Sequence, residues 1–287
     1  MDKKTLDVIK IMQRNEITEH MIYADLSKLI KGHNSEVLDK ISKEEKKHAA
    51  IWSKYTNQHF HPSLIKIYFY RILAFVFGLT FVINLMESGE ENAQDIYSSI
   101  ANDVPEALSI YKDEQLHEAE LINLIDEERL KYISSMVLGL NDALVELTGA
   151  LAGFTFALGN TSTIAMAGFI TGSAATLSMA ASEYLSKKND PNESHPFKAS
   201  VYTGIAYMLV VTMLLIPYCL FTSPVFALIG CLFNAALVIL LFTFYVSVVK
   251  KEKFAPAFFE MILISFGVAG FSFCIGLLAR FFLGIDM

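Results

Sequence analysis

Cysteine is scarce in this 287-residue chain, and what there is does not pair: Cys219, Cys231 and Cys274 all lie in apolar runs, with no C-x-x-C spacing. That excludes a disulfide framework and a cysteine-based metal site. A basic surplus is missing too. There are 23 Lys and Arg against 30 Asp and Glu, a net charge of −7 with a pI near 5.5, which excludes a basic nucleic-acid binder. Charge of either sign is low, 18% of residues against ~25% in ordinary soluble domains. No apolar leader opens the chain. Met1-Asp2-Lys3-Lys4 begins a long polar stretch, so no signal peptide is expected and the polar part is expected in the cytoplasm.

What the chain does have is apolar length, unevenly placed. Hydrophobic residues make up 53% and mean hydropathy is +0.42. Residues 1–132 hold 16 basic and 22 acidic residues; the remaining 155 hold 7 and 8. The split predicts two parts, residues 1–130 and 131–287. The second contains five apolar runs, each near the ~20 residues that a bilayer requires: Tyr132–Leu158, Thr163–Leu185, Phe197–Phe221, Val225–Val249 and Pro256–Leu283. Basic residues (Arg129 and Lys131, then Lys187, Lys188 and Lys198, then Lys250, Lys251 and Lys253) alternate with uncharged links. The alternation predicts a cytoplasmic N-terminus and a C-terminus outside.

The first part reads as four helices: Lys3–Lys31, Ser35–Gln58 with Ser35 as N-cap, Ser63–Ile100, and a last one opening at Asp103-Val104-Pro105-Glu106. The expected class is therefore all-α, a four-helix bundle followed by five membrane spans. Two Glu-x-x-His motifs stand out, Glu45 with His48 and Glu114 with His117. At i, i+3 both side chains share a helix face and reach one metal. One such pair occurs readily by chance. Two pairs, preceded by Glu16-x6-Tyr23 and Glu90-x6-Tyr97 respectively, mark a duplicated motif. A di-iron carboxylate bundle needs one Glu-x-x-His from each of two helices and one Glu from each of the others. Glu16 or Glu19 is available on the first helix, and Glu87, Glu90 or Glu91 on the third.

On these motifs, residues 5–128 resemble the rubrerythrin and ferritin-like di-iron superfamily. The resemblance implies metal ligands Glu16, Glu45, His48, Glu90, Glu114 and His117, with Glu45 and Glu114 bridging two irons and Glu87 a further ligand. Tyr23 and Tyr97 would stand behind the ligands. The rubredoxin-like iron centre of that family is absent. A shared site also requires that the apolar run Leu64–Met86 not cross the membrane. Otherwise the two motifs would lie on opposite sides. The run is expected to pack on its bundle, a second subunit or the bilayer surface.

The first span carries Asp142 and, one turn on, Glu146. Asp142 lies at about 15 Å depth at 1.5 Å rise per residue. Carboxylates there mark a cation or proton route by default. Met179 offers a soft thioether suited to a borderline metal, and Glu183 and Glu260 lie near the cytoplasmic face. Asn141-Asp142-Ala143-Leu144 and Ser178-Met179-Ala180-Ala181-Ser182-Glu183-Tyr184-Leu185-Ser186 resemble the vacuolar iron transporter family. That resemblance implies a homodimer in membrane lipid that moves Fe2+, and in some members Mn2+, out of the cytosol against protons. Asp142 and Met179 would be transport ligands and Glu183 would stand at the cytoplasmic mouth. Thr171 replaces a Glu common in that family, and Glu146 is the nearest carboxylate to take its place. The two resemblances in this order are similar to bacterial membrane-bound ferritins. They imply an iron exporter at the cell membrane whose bundle collects, senses or oxidises Fe2+. The alternatives are a membrane-anchored di-iron ferroxidase or peroxidase, and a Mn2+ exporter.

Overall fold

The computed structural model describes residues 3–87, 96–97, 100–101, 103–123, 132–190 and 195–283, leaving out the side chains of residues 118, 122, 123, 279, 280 and 283. The described residues are all-α, with no strand among them. The chain divides into two compact units, Met1–Glu127 with Val248–Lys251, and Glu128–Ser247 with Glu252–Met287.

In the first unit α1 (Lys3–Leu29) and α2 (His33–Thr56) form a hairpin. Their inward stripes recur every three or four residues: Ile9, Gln13, Glu16, Tyr23 and Leu26 on α1, and Leu38, Ile41, Glu45, His48, Trp52 and Thr56 on α2. The helical period thus carries Glu16, Glu45 and His48 inward along with the apolar residues. The connection turns at Gly32, whose φ of +79° suits a residue without a Cβ. Ser35 does not cap α2 as expected. The helix begins two residues earlier, after Gly32, and Ser35 Oγ donates instead to Ser27 O at 2.8 Å. Buried Gln13 is satisfied on both sides, donating to Gln58 O (2.9 Å) and accepting from Thr56 Oγ1 (2.6 Å).

The third helix is not continuous. It comprises α3 (Leu64–Phe77), capped by Ser63, and α4 (Leu79–Glu87). Gly78 separates them with φ +94° and ψ 165°, a conformation closed to residues with a side chain. At 14 residues α3, ended by Gly78, falls short of the ~20 a span requires. The last helix among the described residues of this unit, α5 (Ala107–Asn123), buries Ala107, Ile110, His117 and Leu121. Trp52, Tyr97, Ile100, Val104 and Ile110 close one end of the core with Ile9.

The second unit holds five helices long and apolar enough to cross a membrane: α6 (Ile133–Leu158), α7 (Thr161–Lys188), α8 (Pro196–Leu220), α9 (Pro224–Lys250) and α10 (Phe254–Leu283). They make a multi-pass membrane protein. α6 is central and packs on α7, α8 and α10. Small residues set the close approaches. A Cβ on Gly276 would meet Gly153 O at 2.6 Å, and one on Gly172 would meet Val211 Cγ1 at 2.7 Å.

Candidate metal centre

Ligand atoms of Glu16, Glu45, His48 and Glu114 all lie within 4.8 Å of one another. Three helices supply them. His48 Nδ1 lies 3.5 Å from Glu16 Oε2, 3.7 Å from Glu45 Oε2 and 3.0 Å from Glu114 Oε1. His117 Nδ1 lies 3.1 Å from Glu45 Oε1 and 3.4 Å from Glu114 Oε2. Glu45 and Glu114 each therefore present one oxygen to each imidazole. The two rings stack, centroids 5.8 Å apart.

Close as these atoms are, they are not aligned to bond one another. Glu16 Oε2, Glu45 Oε2, His48 Nδ1, Glu114 Oε1 and His117 Nδ1 are buried and lack a hydrogen-bond partner. Five orphaned atoms in one place would be costly in a core meant to stay empty. A carboxylate and imidazole set converging this way fits a divalent metal ion.

Other groups fix the ligands from behind. Trp52 Nε1 donates to Glu16 Oε1 at 3.1 Å, and Tyr97 Oη donates to the same oxygen at 3.4 Å. Tyr23 Oη donates to Glu87 Oε1 at 3.4 Å. His48 Nε2 meets Asp113 Oδ2 at 3.4 Å, and His117 Nε2 meets Glu44 Oε2 at 2.7 Å. Trp52, Asp113 and Glu44 were missed at the level of sequence. The available signals were that Trp52 falls one turn after His48, and that Asp113 and Glu44 each immediately precede a motif glutamate.

The charges are strongly perturbed. Burial raises the Glu16 carboxyl well above the usual range, and Glu45 and Glu114 add to the rise while His48 opposes it. Glu19, though partly open to solvent, is pushed up to about 8 by burial and by the carboxylates of Glu45 and Glu114. Burial would also raise Glu45, but the facing imidazoles of His117 and His48 outweigh it and hold the carboxyl at about 2. Burial lowers both histidines, and their carboxylate neighbours more than reverse it. His48 is raised by Glu114, Glu16 and Glu45, and His117 reaches about 10 through Glu114 and Glu45.

Of the proposed ligands, Glu16, Glu45, His48, Glu114 and His117 are thus brought together. Glu87 lies at the end of α4, half-buried against Tyr23. Glu90 and Glu91 fall outside the described residues.

The membrane unit has its own polar constellation. On α6, Asp142 is half-buried and Glu146 more open, and Tyr207 on α8 donates to Glu146 Oε2 at 2.9 Å. Glu183 is buried near the end of α7 and accepts from Ser135 Oγ. The backbone carbonyl of Ser135 accepts in turn from Thr203 Oγ1 at 3.0 Å. Met179 packs, partly buried, against the core of the unit. Glu260 is exposed, and the side chain of Arg280, near the far end of α10, lies outside the description.

Residues 133–194 match the family described as VIT1, VIT family. The matched stretch covers α6 and α7 and holds Asp142, Glu146, Met179 and Glu183. The match supports a membrane metal transporter as the general class. No curated protein matches the chain.

Proposed function

We propose that the chain exports Fe2+ from the cytoplasm across the cell membrane in exchange for protons, and that its N-terminal bundle collects, senses or oxidises the same ion. The observation that carries this reading is that the segment matching the VIT family is the one bearing the intramembrane carboxylates Asp142 and Glu146. An anchor alone has no use for two acids at that depth, whose burial is costly unless they meet a cation or proton. Fe2+ as cargo would enter near Glu183, pass Asp142 and Glu146, and use Met179 as a soft ligand. Protons would exchange at the same two carboxylates.

In the bundle, Glu16, Glu45, His48, Glu114 and His117 would hold the metal, with Glu87 and Glu90 as further ligands. Glu45 and Glu114 suit a bridging role, since each offers an oxygen to either side. Bound iron would supply redox chemistry between its ferrous and ferric states. The chain's own part is to bind and orient. Trp52 and Tyr97 hold Glu16, and Asp113 and Glu44 hold the imidazoles with Nδ1 inward. Because the cargo is Fe2+, a collecting or sensing bundle fits export better than an oxidising one. The proposed arrangement is a homodimer with residues 1–130 cytoplasmic.

Proteoliposomes with an internal Fe2+ sensor and an imposed pH gradient test the reading. Asp142→Asn is expected to abolish gradient-driven Fe2+ movement while the bundle keeps its metal content. Unchanged movement in that variant overturns the pathway. Mn2+ movement without Fe2+ movement replaces the cargo, and no metal movement with oxygen-dependent Fe2+ oxidation makes the chain an anchored enzyme.

A further inference from the structure

Helix α3 is apolar on every side except at Lys66 and Arg71, yet none of its residues is buried. Its half-buried residues are Ile67, Tyr70, Leu73, Ala74 and Phe77, one continuous face on a helical wheel, and α3 packs on α1. The opposite face is bare. Ile65 is 84% exposed and Phe75 87%, and Leu64, Tyr68, Phe69, Ile72 and Val76 are exposed beside them. At roughly 100° per residue these side chains fill an outward arc of about 140°. Arg71 flanks one edge of that arc, whereas Lys66 lies on the side turned toward α1, about 60° beyond Phe69, where its charge acts on Glu19. Arg71 stays half-exposed while its Nε lies 3.7 Å from Asp25 Oδ2.

We propose that α3 lies along the surface of a phospholipid bilayer, with its outward arc in the acyl boundary and Arg71 against anionic headgroups. Three observations select this occupant. The first is charge. Arg71 stands at the margin of the apolar arc, where a long cationic side chain reaches headgroups while its stem covers apolar surface. The second is length. A helix of 14 residues measures about 21 Å, too short to cross and suited to lying flat. The third is that the same chain carries five membrane-spanning helices, so a bilayer is always present and the encounter is intramolecular. A second copy of α3 fits less well. It would bring Arg71 of two helices together, with no acid on α3 to offset the charge.

Brominated-lipid quenching tests this on the full chain, one copy per nanodisc of phosphatidylcholine and phosphatidylglycerol. Trp52 is the chain's single tryptophan and is fully buried, so the unsubstituted protein supplies the baseline. Phe75→Trp, and independently Ile72→Trp should either variant fold poorly, are expected to emit at shorter wavelength and to be quenched by lipids brominated near the headgroup. Leu108→Trp, on α5 and 48% exposed, is expected to stay unquenched. Arg71→Gln in the Phe75→Trp background should lower the bilayer-bound population about fivefold in anionic discs and little in neutral ones. A water-like, unquenched spectrum at positions 72 and 75 overturns the proposal. So does a blue shift that arises only with two copies per disc and resists brominated lipid, which would mean that a second chain covers this face. Neither readout depends on transport.

Discussion

Asp113 on α5 meets Nε2 of His48 on α2, and Glu44 on α2 meets Nε2 of His117 on α5, at 3.4 and 2.7 Å. The relationship is reciprocal: the acid before each motif glutamate holds the histidine of the other motif. Each carboxylate fixes its ring so that Nδ1 faces the cluster, the orientation a metal-binding imidazole needs. Asp113 is exposed, so its removal should leave the core intact. Asp113→Asn and Glu44→Gln are each expected to weaken divalent-metal binding by about 10- to 100-fold with little loss of thermal stability. Cobalt titration of the full chain checks the affinity. The ring 15N shifts of His48 and His117 check the mechanism, because a merely structural role would leave the tautomers unchanged.

Metal loading should release protons. Near neutrality His48 and His117 are held protonated by their carboxylate neighbours, His117 up to about 10, and Glu16 and Glu19 are raised by burial. Metal-bound imidazole and carboxylate are deprotonated, so these protons must leave. Affinity is expected to rise between pH 6 and 8, and calorimetric heats should vary with the ionisation enthalpy of the buffer. Heats that ignore the buffer would contradict this protonation scheme. Trp52, bonded to Glu16, should report the same event as a change in fluorescence.

The metal-free bundle has a pH dependence of its own. Raised histidine pKa values give stability that is full below the unfolded value near 6.5 and is lost as pH climbs through about 10 at His117. The depressed Glu45 gives stability present above its unfolded value and lost as pH falls through about 2. Glu19 acts in the opposite direction. With a folded value of about 8 it destabilises progressively from its unfolded value of 4.5 up to 8 and fully beyond. Glu19→Gln should therefore stabilise the chelator-treated bundle at pH 8 by about 1–2 kcal/mol, after allowing for its solvent-exposed part, and do nothing at pH 4. Melts followed by Trp52 emission in detergent measure both points.

Much of this was legible in the residue order, for identifiable reasons. Spacing i, i+3 on one helix puts Glu45 beside His48 and Glu114 beside His117 whatever else the chain does. Five long apolar runs, sparse in charge, likewise identify five helices long enough to span. What depends on contacts between helices was not legible. Asp113 reads as a solvated acid until α2 and α5 are brought together. The break at Gly78 was also hidden, because a lone glycine in an apolar run reads as a tolerated helix residue until its φ of +94° is seen. Ser35 had the side chain of an N-cap, but its hydroxyl is used by Ser27 O.

In the membrane unit, α6 and α10 approach most closely at Gly153 and Gly276, and space decides the outcome of substitution. A Cβ on Gly276 would stand 2.6 Å from a backbone oxygen, which no rotamer change relieves, whereas one on Gly267 of the same helix would meet nothing within 4 Å. Gly276→Ala is expected to separate the helices and lower the melting temperature of the detergent-solubilised protein, with a cost of about 1–3 kcal/mol typical of overpacking. Gly267→Ala should be neutral or slightly stabilising through its gain in helix propensity. Equal effects of the two would mean that the close packing of α6 on α10 does not hold in the bilayer.

Tyr207 offers the most direct probe of the intramembrane acids. It is fully buried on α8, and its hydroxyl donates to Glu146 Oε2 at 2.9 Å. Asp142 lies one turn from Glu146 on the same helix. That donated hydrogen bond fixes where the Glu146 carboxylate stands on α6. Tyr207→Phe removes that hydroxyl and leaves the ring. If Glu146 carries the cargo, the variant should bind it more weakly, read as a higher half-saturating Fe2+ concentration in the transport assay. Glu146→Gln should remove the acid altogether and leave nothing for Tyr207→Phe to weaken. An equal loss from Tyr207→Phe with and without Glu146 would place the effect elsewhere, and unchanged transport in Glu146→Gln would remove Glu146 from the route.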